Sequence, residues 1–571
     1  MRVVIPVSRC PACAMLILIL ATAASGSTVV VDDDGAGNFT KIQDAINSSE
    51  IGDVIVVHNG TYPENFIVDR SIVLKGENGP VVEGSGLPDP LTTITSENVT
   101  LDGFSFTGSL NDSFNSGAVM VLADGCKILN CTISASSGNG LKLLDSKDHL
   151  ISGNQICDNG YGGISFTRAN SSQLVGNQIS RNGKWGVVLE ACEHDEVKVN
   201  EVRENGEVGI QLASSNHVDL VYNSINLNRE DGLYLIESRN NVIAENEIRD
   251  NGLNGIGLDQ APHNSLIKNV INNSGDEGLL VIRSSDNNII TENILCDNGI
   301  NGIGIYGSYF STVSKNEIFN NSFNGISLRD NSSSILISDN EICGNKRYGF
   351  YLEDSDKNFV EGNDVCGNLH GVIMVRSGDN VLEENKIHDN NFGFSMESVD
   401  GVSISNNEVY NNSDNAVQLN SCDQSKVWEN EIFENGGDGV HVSGSENLIV
   451  SRNTITNNSK YGIQVLDQTT QAFFMYNTVH QNGGGGIYIY EGEINQIISN
   501  IFDDNQNFNA RDNGQTNWWQ ANFYSDYLGR EIDEGGVAGT EPYAILGRRG
   551  AVTFDFHPVA LRALLEGSGP D

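Results

Sequence analysis

The sequence predicts an all-β chain wound as a single-stranded right-handed parallel β-helix. Three observations predict it: one asparagine recurs every 22 to 24 residues, a glycine column accompanies it, and four further columns are wholly apolar. A fixed period over hundreds of residues makes one solenoid rather than several globules, so the 571 residues do not translate into several ordinary domains.

The asparagine column runs Asn130, Asn154, Asn177, Asn200, Asn223 and onward to Asn500. From Asn154 the residue five positions later is again Asn, through Asn159, Asn182 and Asn205 to Asn505, with Ser274 the exception. A glycine followed by an apolar residue comes next, as in Gly163-Ile164 and Gly325-Ile326; only Ala416 breaks this column between Gly140 and Gly486. The apolar columns contain Ile151 and Leu174, Ile156 and Ile179, Ile164 and Val187, and Phe166 and Leu189. Their spacing of two within short runs marks strands with one face inside. Gly and Asn suit the corners between strands, since both tolerate positive φ, and Asn stacked one per coil can form amide ladders. Each inward side chain contributes roughly 1.5–3 kcal/mol on burial. Sixteen steps of about 4.8 Å make the Asn-aligned part a rod of roughly 80 Å.

Charge order supports stacking in register. The residues before the Asn column alternate as Glu245, Lys268, Glu292, Lys315 and Asp339. Those after the last inward residue alternate as Arg329, Glu353, Arg376 and Glu397, and opposite charges on neighbouring rungs stabilise a sheet.

At the N-terminus, Arg2 and Arg9 precede an apolar run from Ala12 to Ala24 and then small residues, so residues 1–26 read as a signal peptide. No second apolar span follows, and a mature chain without a transmembrane segment is expected. Of the 10 cysteines, Cys10 and Cys13 fall in this segment, which leaves eight without a CxxC pair. A structural zinc site is therefore not expected. Cys343 and Cys366 occupy equivalent places in adjacent repeats and are the best pair for a disulfide, with free thiols the alternative. With 33 Lys plus Arg against 75 Asp plus Glu, the net charge of −42 opposes nucleic-acid binding. Twelve Asn-x-Ser/Thr sequons, from Asn38 to Asn457, permit surface glycosylation.

The segment Val31–Ile46, with Gly52-Asp-Val-Ile-Val-Val57 and Asn59-Gly-Thr-Tyr62, resembles the opening of pectin-lyase-like β-helix proteins. The resemblance implies that Ile42-Gln-Asp-Ala-Ile46 forms a short helix capping the first coil and that Ser71–Gly76 is the first coil strand. The repeats resemble those of the carbohydrate-binding and sugar-hydrolysis group, which includes the maturation protein NosD. The stretches Asn517–Gly529 and Thr540–Tyr543 resemble the terminal segment of archaeal surface proteins and NosD-like proteins. The expected organisation is thus signal peptide 1–26, N-terminal cap and first coils 27–110, repeat array 111–505 and an irregular C-terminal cap 506–571.

Enzymes with such repeats act on acidic polysaccharides, but their motifs are missing. The Asn-Thr-Asp, Asp-Asp and Gly-His-Gly segments of polygalacturonases have no counterpart within the repeats, and Asp503-Asp504 stands alone. The 10 His and 6 Met are scattered, which does not support copper. Two stripes remain. Glu317, Glu341 and Asp364, continued past Lys386 by Glu408 and Glu431, are Ca²⁺ candidates, or else a solvated acidic face. Tyr306, Arg329, Tyr351, Glu353, Arg376 and Glu397 offer aromatic rings and cations to a glycan, or else form a salt-bridge ladder. His370 and His441 read as lone surface or turn histidines. Trp518, Trp519, Phe523, Tyr524 and Tyr527 read as end-capping aromatics.

The expectation is a monomeric rod, secreted or at the cell surface (periplasmic in a Gram-negative cell), that binds polysaccharide or cell-surface glycan without catalysis. The alternatives are a polysaccharide lyase, epimerase or hydrolase, and a NosD-like accessory to a transporter or metalloenzyme.

Overall fold

The computed structural model describes residues 26–528, except 85, 87–89 and 111–114, together with 539, 541–548 and 551–559. The expected signal peptide lies outside the described residues apart from Gly26. One turn of the coil comprises three short strands, for example Leu150–Ser152, Gln155–Cys157 and Ile164–Asn170. Each pairs in parallel with its equivalent one repeat on, as Ile151↔Leu174, Ile156↔Ile179 and Phe166↔Leu189. Among the described residues three sheets result, the first of them 22-stranded. At about 4.8 Å per rung the rod is roughly 100 Å long. The apolar columns fill its interior, and Ile151, Ile156, Ile164 and Phe166 are fully buried. No helix among the described residues is long and apolar enough to cross a membrane.

The helix Ile42–Ser48 buries Ile42, Ala45 and Ile46 against the first rungs. Its N-terminus is held by the Glu64 carboxylate, which accepts from the Ile42 and Gln43 backbone N–H groups at 2.7 and 3.2 Å, a charge that suits the helix dipole. Val73–Gly76 is the third rung of its sheet rather than the first, because Thr28–Val31 and Val54–Val57 already pair below it.

The corners are made differently from the sequence expectation. The glycines of the column between Gly140 and Gly486 are absent from the positive-φ residues; they are required by close approach. A Cβ on Gly209 would stand 2.5 Å from the Gly232 carbonyl oxygen and 2.7 Å from Ile225 Cγ2. Positive φ falls instead on the residue before each ladder asparagine, including Val199 at 57° and Tyr222 at 58°. Glu245, Lys268, Glu292, Lys315 and Asp339 occupy this left-handed position, so they project from a corner rather than from a strand. Lys268 and Glu292 do pair, at 3.6 Å.

The backbone N–H and Nδ2 of Asn177 both donate to Asn200 Oδ1 at 3.0 Å, while its Nδ2 also donates to the Ile151 carbonyl at 2.9 Å. The same pattern repeats for Asn200 and Asn223. The first member is Asn154, not Asn130: Cys131 donates its N–H to Asn154 Oδ1, which places Asn130 one residue out of column, at φ 49°. A second ladder runs through Asn159, Asn182 and Asn205 and is interrupted at Ser274, whose buried Oγ has no partner among the described residues. At the far end Asp555 Oδ2 accepts from both nitrogens of Asn522, in place of a further asparagine. Trp519, Phe523 and Tyr524 are buried there, and Tyr543 stacks on Tyr524 at 3.7 Å. Trp518 is exposed. Cys343 and Cys366 form a disulfide with Cα atoms 4.6 Å apart, and the other described cysteines are buried free thiols.

Candidate functional site

The outer face of the third sheet carries the most distinctive side chains. Tyr234, Gly257, Leu280, Gly304, Ser327 and Tyr351 stand in register on successive rungs. The glycines leave room for rings: the Cβ absent from Gly304 would lie 2.7 Å from the Tyr306 hydroxyl, and that absent from Gly257 2.8 Å from Tyr234 Cδ2. Tyr306 therefore lies back along the sheet, where its hydroxyl donates to Glu277 Oε1 at 3.2 Å and accepts from Asn301 Nδ2 at 3.0 Å.

Around this contact is a groove of roughly 480 Å³, lined by Glu277, Asn301, Tyr306, Arg329, Tyr348 and Tyr351 among others. Glu277 is only 8% exposed, and burial pushes its carboxyl above the usual carboxylate range. Burial, followed by the charge of Glu277, pushes Tyr306 up to about 12. On the groove walls Arg329 lies 5.7 Å from the Tyr351 ring centroid and Arg347 4.7 Å from that of Phe323. The buried Asn324 Oδ1 has no hydrogen-bond partner among the described residues. Toward the N-terminus on the same face, the nearly fully buried Asp259 accepts at Oδ2 from Tyr234 Oη (2.9 Å) and Arg283 Nη1 (2.8 Å). Chemically, this face offers guanidinium groups for an anion, rings for stacking, and a buried carboxyl beside a phenol.

Tyr306, Arg329 and Tyr351 thus share one groove, and Glu353 bridges Arg329 at 2.7 Å and Arg376 at 2.8 Å. Desolvation pushes the Glu353 carboxyl up, but the hydrogen bonds from Arg376 and Arg329 help to hold it below the usual carboxylate range. Arg376 does not stand in the alternating column. Val375 is the residue in register with both Glu353 and Glu397, whereas Arg376 turns the corner at φ 47° and binds Asp354 at 2.8 Å. The expected four-residue charge alternation is therefore broken at Val375, and Glu397 is next in register to Asn420.

Glu317, Glu341 and Asp364 are in register on a different surface, the outer face of the second sheet. Asp364 Oδ1 lies 2.9 Å from His388 Nε2. His370 belongs to the groove side: its ring stacks on Phe392 at 4.7 Å and meets Tyr348 edge-on at 5.2 Å. Burial depresses its pKa. His441 Nδ1 lies 3.0 Å from Asp438 Oδ2. The sequence reading missed Glu277, Asn301 and Tyr348. Their signal was present, since the position before each column glycine carries Asp231, Asn254, Glu277, Asn301, Asn324 and Tyr348 in succession.

A cell surface glycoprotein of Methanothermus fervidus is 28% identical over 183 residues, 26% of this chain and 30% of the relative. The chain therefore matches less than a third of that protein's length. Among solved structures, XylC in complex with xylose aligns with a TM-score of 0.39 and 11% identity over 48% of this chain and 75% of the other. DFA-IIIase from Arthrobacter chlorophenolicus A6, solved without its lid, aligns at 0.38 and 11% over 55% and 94%. The model of the right-handed β-helix region matches residues 116–258, 224–336 and 324–478, well over half of the chain, and the protein belongs to that family.

Proposed function

We propose that this protein is a cell-surface or extracellular β-helix rod that binds acidic carbohydrate along the third sheet. The observation that carries the reading is the groove in which Arg329, Arg347, Tyr348 and Tyr351 surround the buried Glu277–Tyr306 contact. Planar guanidinium groups bind carboxylates in pairs of hydrogen bonds, and tyrosine rings offer apolar faces with a polar edge. A sugar chain laid along the rod would meet one rung every ~4.8 Å. The similarity to a surface glycoprotein and the sequence reading of residues 1–26 support the location. A monomer suffices, because the groove is built from one chain.

Titration with polyuronates and neutral polysaccharides, after a glycan-array screen, tests the reading. Arg329→Ala and Tyr351→Ala are each expected to weaken the polyuronate by about tenfold. Equal affinity for neutral chains, or no effect of either substitution, would overturn it. Catalysis is a second reading, favoured by Glu277: a buried carboxyl with a raised pKa beside a phenol is a general-acid arrangement. Shortened or unsaturated products that vanish in Glu277→Gln would establish it.

A further inference from the structure

The outer face of the second sheet gathers metal-binding side chains far apart in sequence. Cys343, Cys366 and His388 follow one another in register, and Asp364 projects from the same strand as Cys366. One ligand atom each from Cys343, Asp364 and Cys366 lies within 4.8 Å of the others. His388, one rung on from Cys366 and in contact with Asp364, is a fourth ligand candidate. Its Nε2 is 2.9 Å from Asp364 Oδ1, and its Nδ1 is 2.8 Å from Asp389 Oδ2. Its ring is steadied by near-parallel stacking on Tyr410 at 4.8 Å. A carboxylate on Nδ1 that leaves Nε2 directed at a site is the arrangement that orients histidine for zinc. The short C-x-x-C spacing of zinc sites reflects turns. In this coil a 23-residue separation brings two cysteines equally close.

We propose that Cys343, Cys366, Asp364 and His388 form a binding site for one zinc-class divalent ion when the disulfide is reduced. A dithiol donates two electrons and two protons to the Cys343–Cys366 bond and closes to its own cyclic disulfide. The ion then displaces both thiol protons to solvent and is held by two thiolate sulfurs, Asp364 Oδ1 and His388 Nε2, in place of the His388–Asp364 contact. Bonds of about 2.3 Å to sulfur and about 2.0 Å to nitrogen require the four ligand atoms to draw together on binding. The chain thus has two alternative cross-links between the same rungs, covalent when oxidised and coordinate when reduced. The free cysteines are poor competitors: they are buried, and desolvation pushes Cys131, Cys192 and Cys422 up to about 12.

Cobalt, a spectroscopic stand-in for zinc, tests this in the full chain. The protein is treated anaerobically with a dithiol, the reductant is removed, and a gain of two thiols is verified. One equivalent of Co²⁺ is expected to produce a thiolate-to-metal charge-transfer band, displaced by Zn²⁺ and absent from the oxidised protein. His388→Ala and Asp364→Asn leave the disulfide intact, and each is expected to weaken the ion by about tenfold or more. Their unchanged thermal melting in the oxidised form separates ligand loss from misfolding. A disulfide that resists dithiol in the folded chain would overturn the proposal. An equal band from the oxidised protein, or wild-type affinity in both variants, would do so too.

Discussion

Asn200 and Asn324 are the same residue type, each nearly fully buried beside a coil corner, yet their polar atoms are treated differently. Asn200 Oδ1 accepts from both nitrogens of Asn177, and its Nδ2 donates to Asn223 and to the Leu174 carbonyl. Asn324 has its carbonyl oxygen in the groove without a partner among the described residues. The ladder uses asparagine to satisfy the corner backbone, and every atom is matched. The groove holds an acceptor without a partner among the described residues, Asn324 Oδ1, together with the Glu277 carboxyl, which burial pushes above the usual carboxylate range. An unmet buried acceptor costs about 1–3 kcal/mol, so a fold stable enough to carry it retains capacity for a ligand.

Breaking the ladder should have the largest effect. Asn200→Asp keeps the acceptor for Asn177 but places a second oxygen against Asn223 Oδ1 and the Leu174 carbonyl, where Nδ2 donated. The loss of two donors and the burial of a charge predict a destabilisation of about 5 kcal/mol, read from the denaturant midpoint at pH 7. A loss below about 1 kcal/mol would mean that the ladder is decoration on a fold held by its apolar columns alone.

A buried aspartate already takes such a stacked position at Asp195, which is 1% exposed. Its Oδ1 accepts from the Ser172 backbone N–H at 2.7 Å, while Oδ2 is unpartnered among the described residues. Burial pushes this carboxyl up to about 7. The folded state therefore favours the protonated acid, whose contribution is complete below the unfolded value near 4 and is lost as pH rises through about 7. Asp195→Asn removes that loss and supplies a donor toward the previous rung, as Asn241 does for the Ser215 carbonyl. The variant should be the more stable by about 2–4 kcal/mol above pH 7, with the gap narrowing toward pH 4. A gap independent of pH would show that Asp195 is not the titrating group.

The fold was legible because its period is carried by every repeat; the errors of register come from the repeats that deviate. Asn130 looks like a ladder member because it precedes Asn154 by 24 residues, yet its neighbour Cys131 is the true equivalent. Arg376 looks like a rung of alternating charge because the repeat after Glu353 is one residue shorter; Val375 holds the place. Tyr306, Arg329 and Tyr351 were legible as an outward cluster, since alternation along a strand determines the face. Glu277 was not. Its role depends on the Tyr306 ring reaching back 29 residues in sequence across Gly304, and a column-by-column reading records neither side-chain reach nor the room left by a missing Cβ. The Cys343–Cys366 pair was legible because it needs only one repeat and one face.

The smallest expected effect separates the groove from the ion network beside it. Arg329 and Arg376 both bind Glu353, and the charge pattern alone makes them equivalent. Arg329 stands on the strand face, lines the groove and lies over Tyr351, whereas Arg376 is exposed at a corner and divides its guanidinium between Glu353 and Asp354. Exposed pairs of this kind contribute little, because water screens them and long side chains lose entropy in forming them. Arg376→Ala is therefore expected to leave the melting temperature unresolved from wild type and polyuronate affinity within about twofold. Arg329→Ala shifts affinity and spares the melting temperature. If instead Arg376→Ala matched the binding loss of Arg329→Ala, the bridging Glu353 would be the element that positions Arg329. The binding surface would then extend around the corner, beyond the groove on the sheet face.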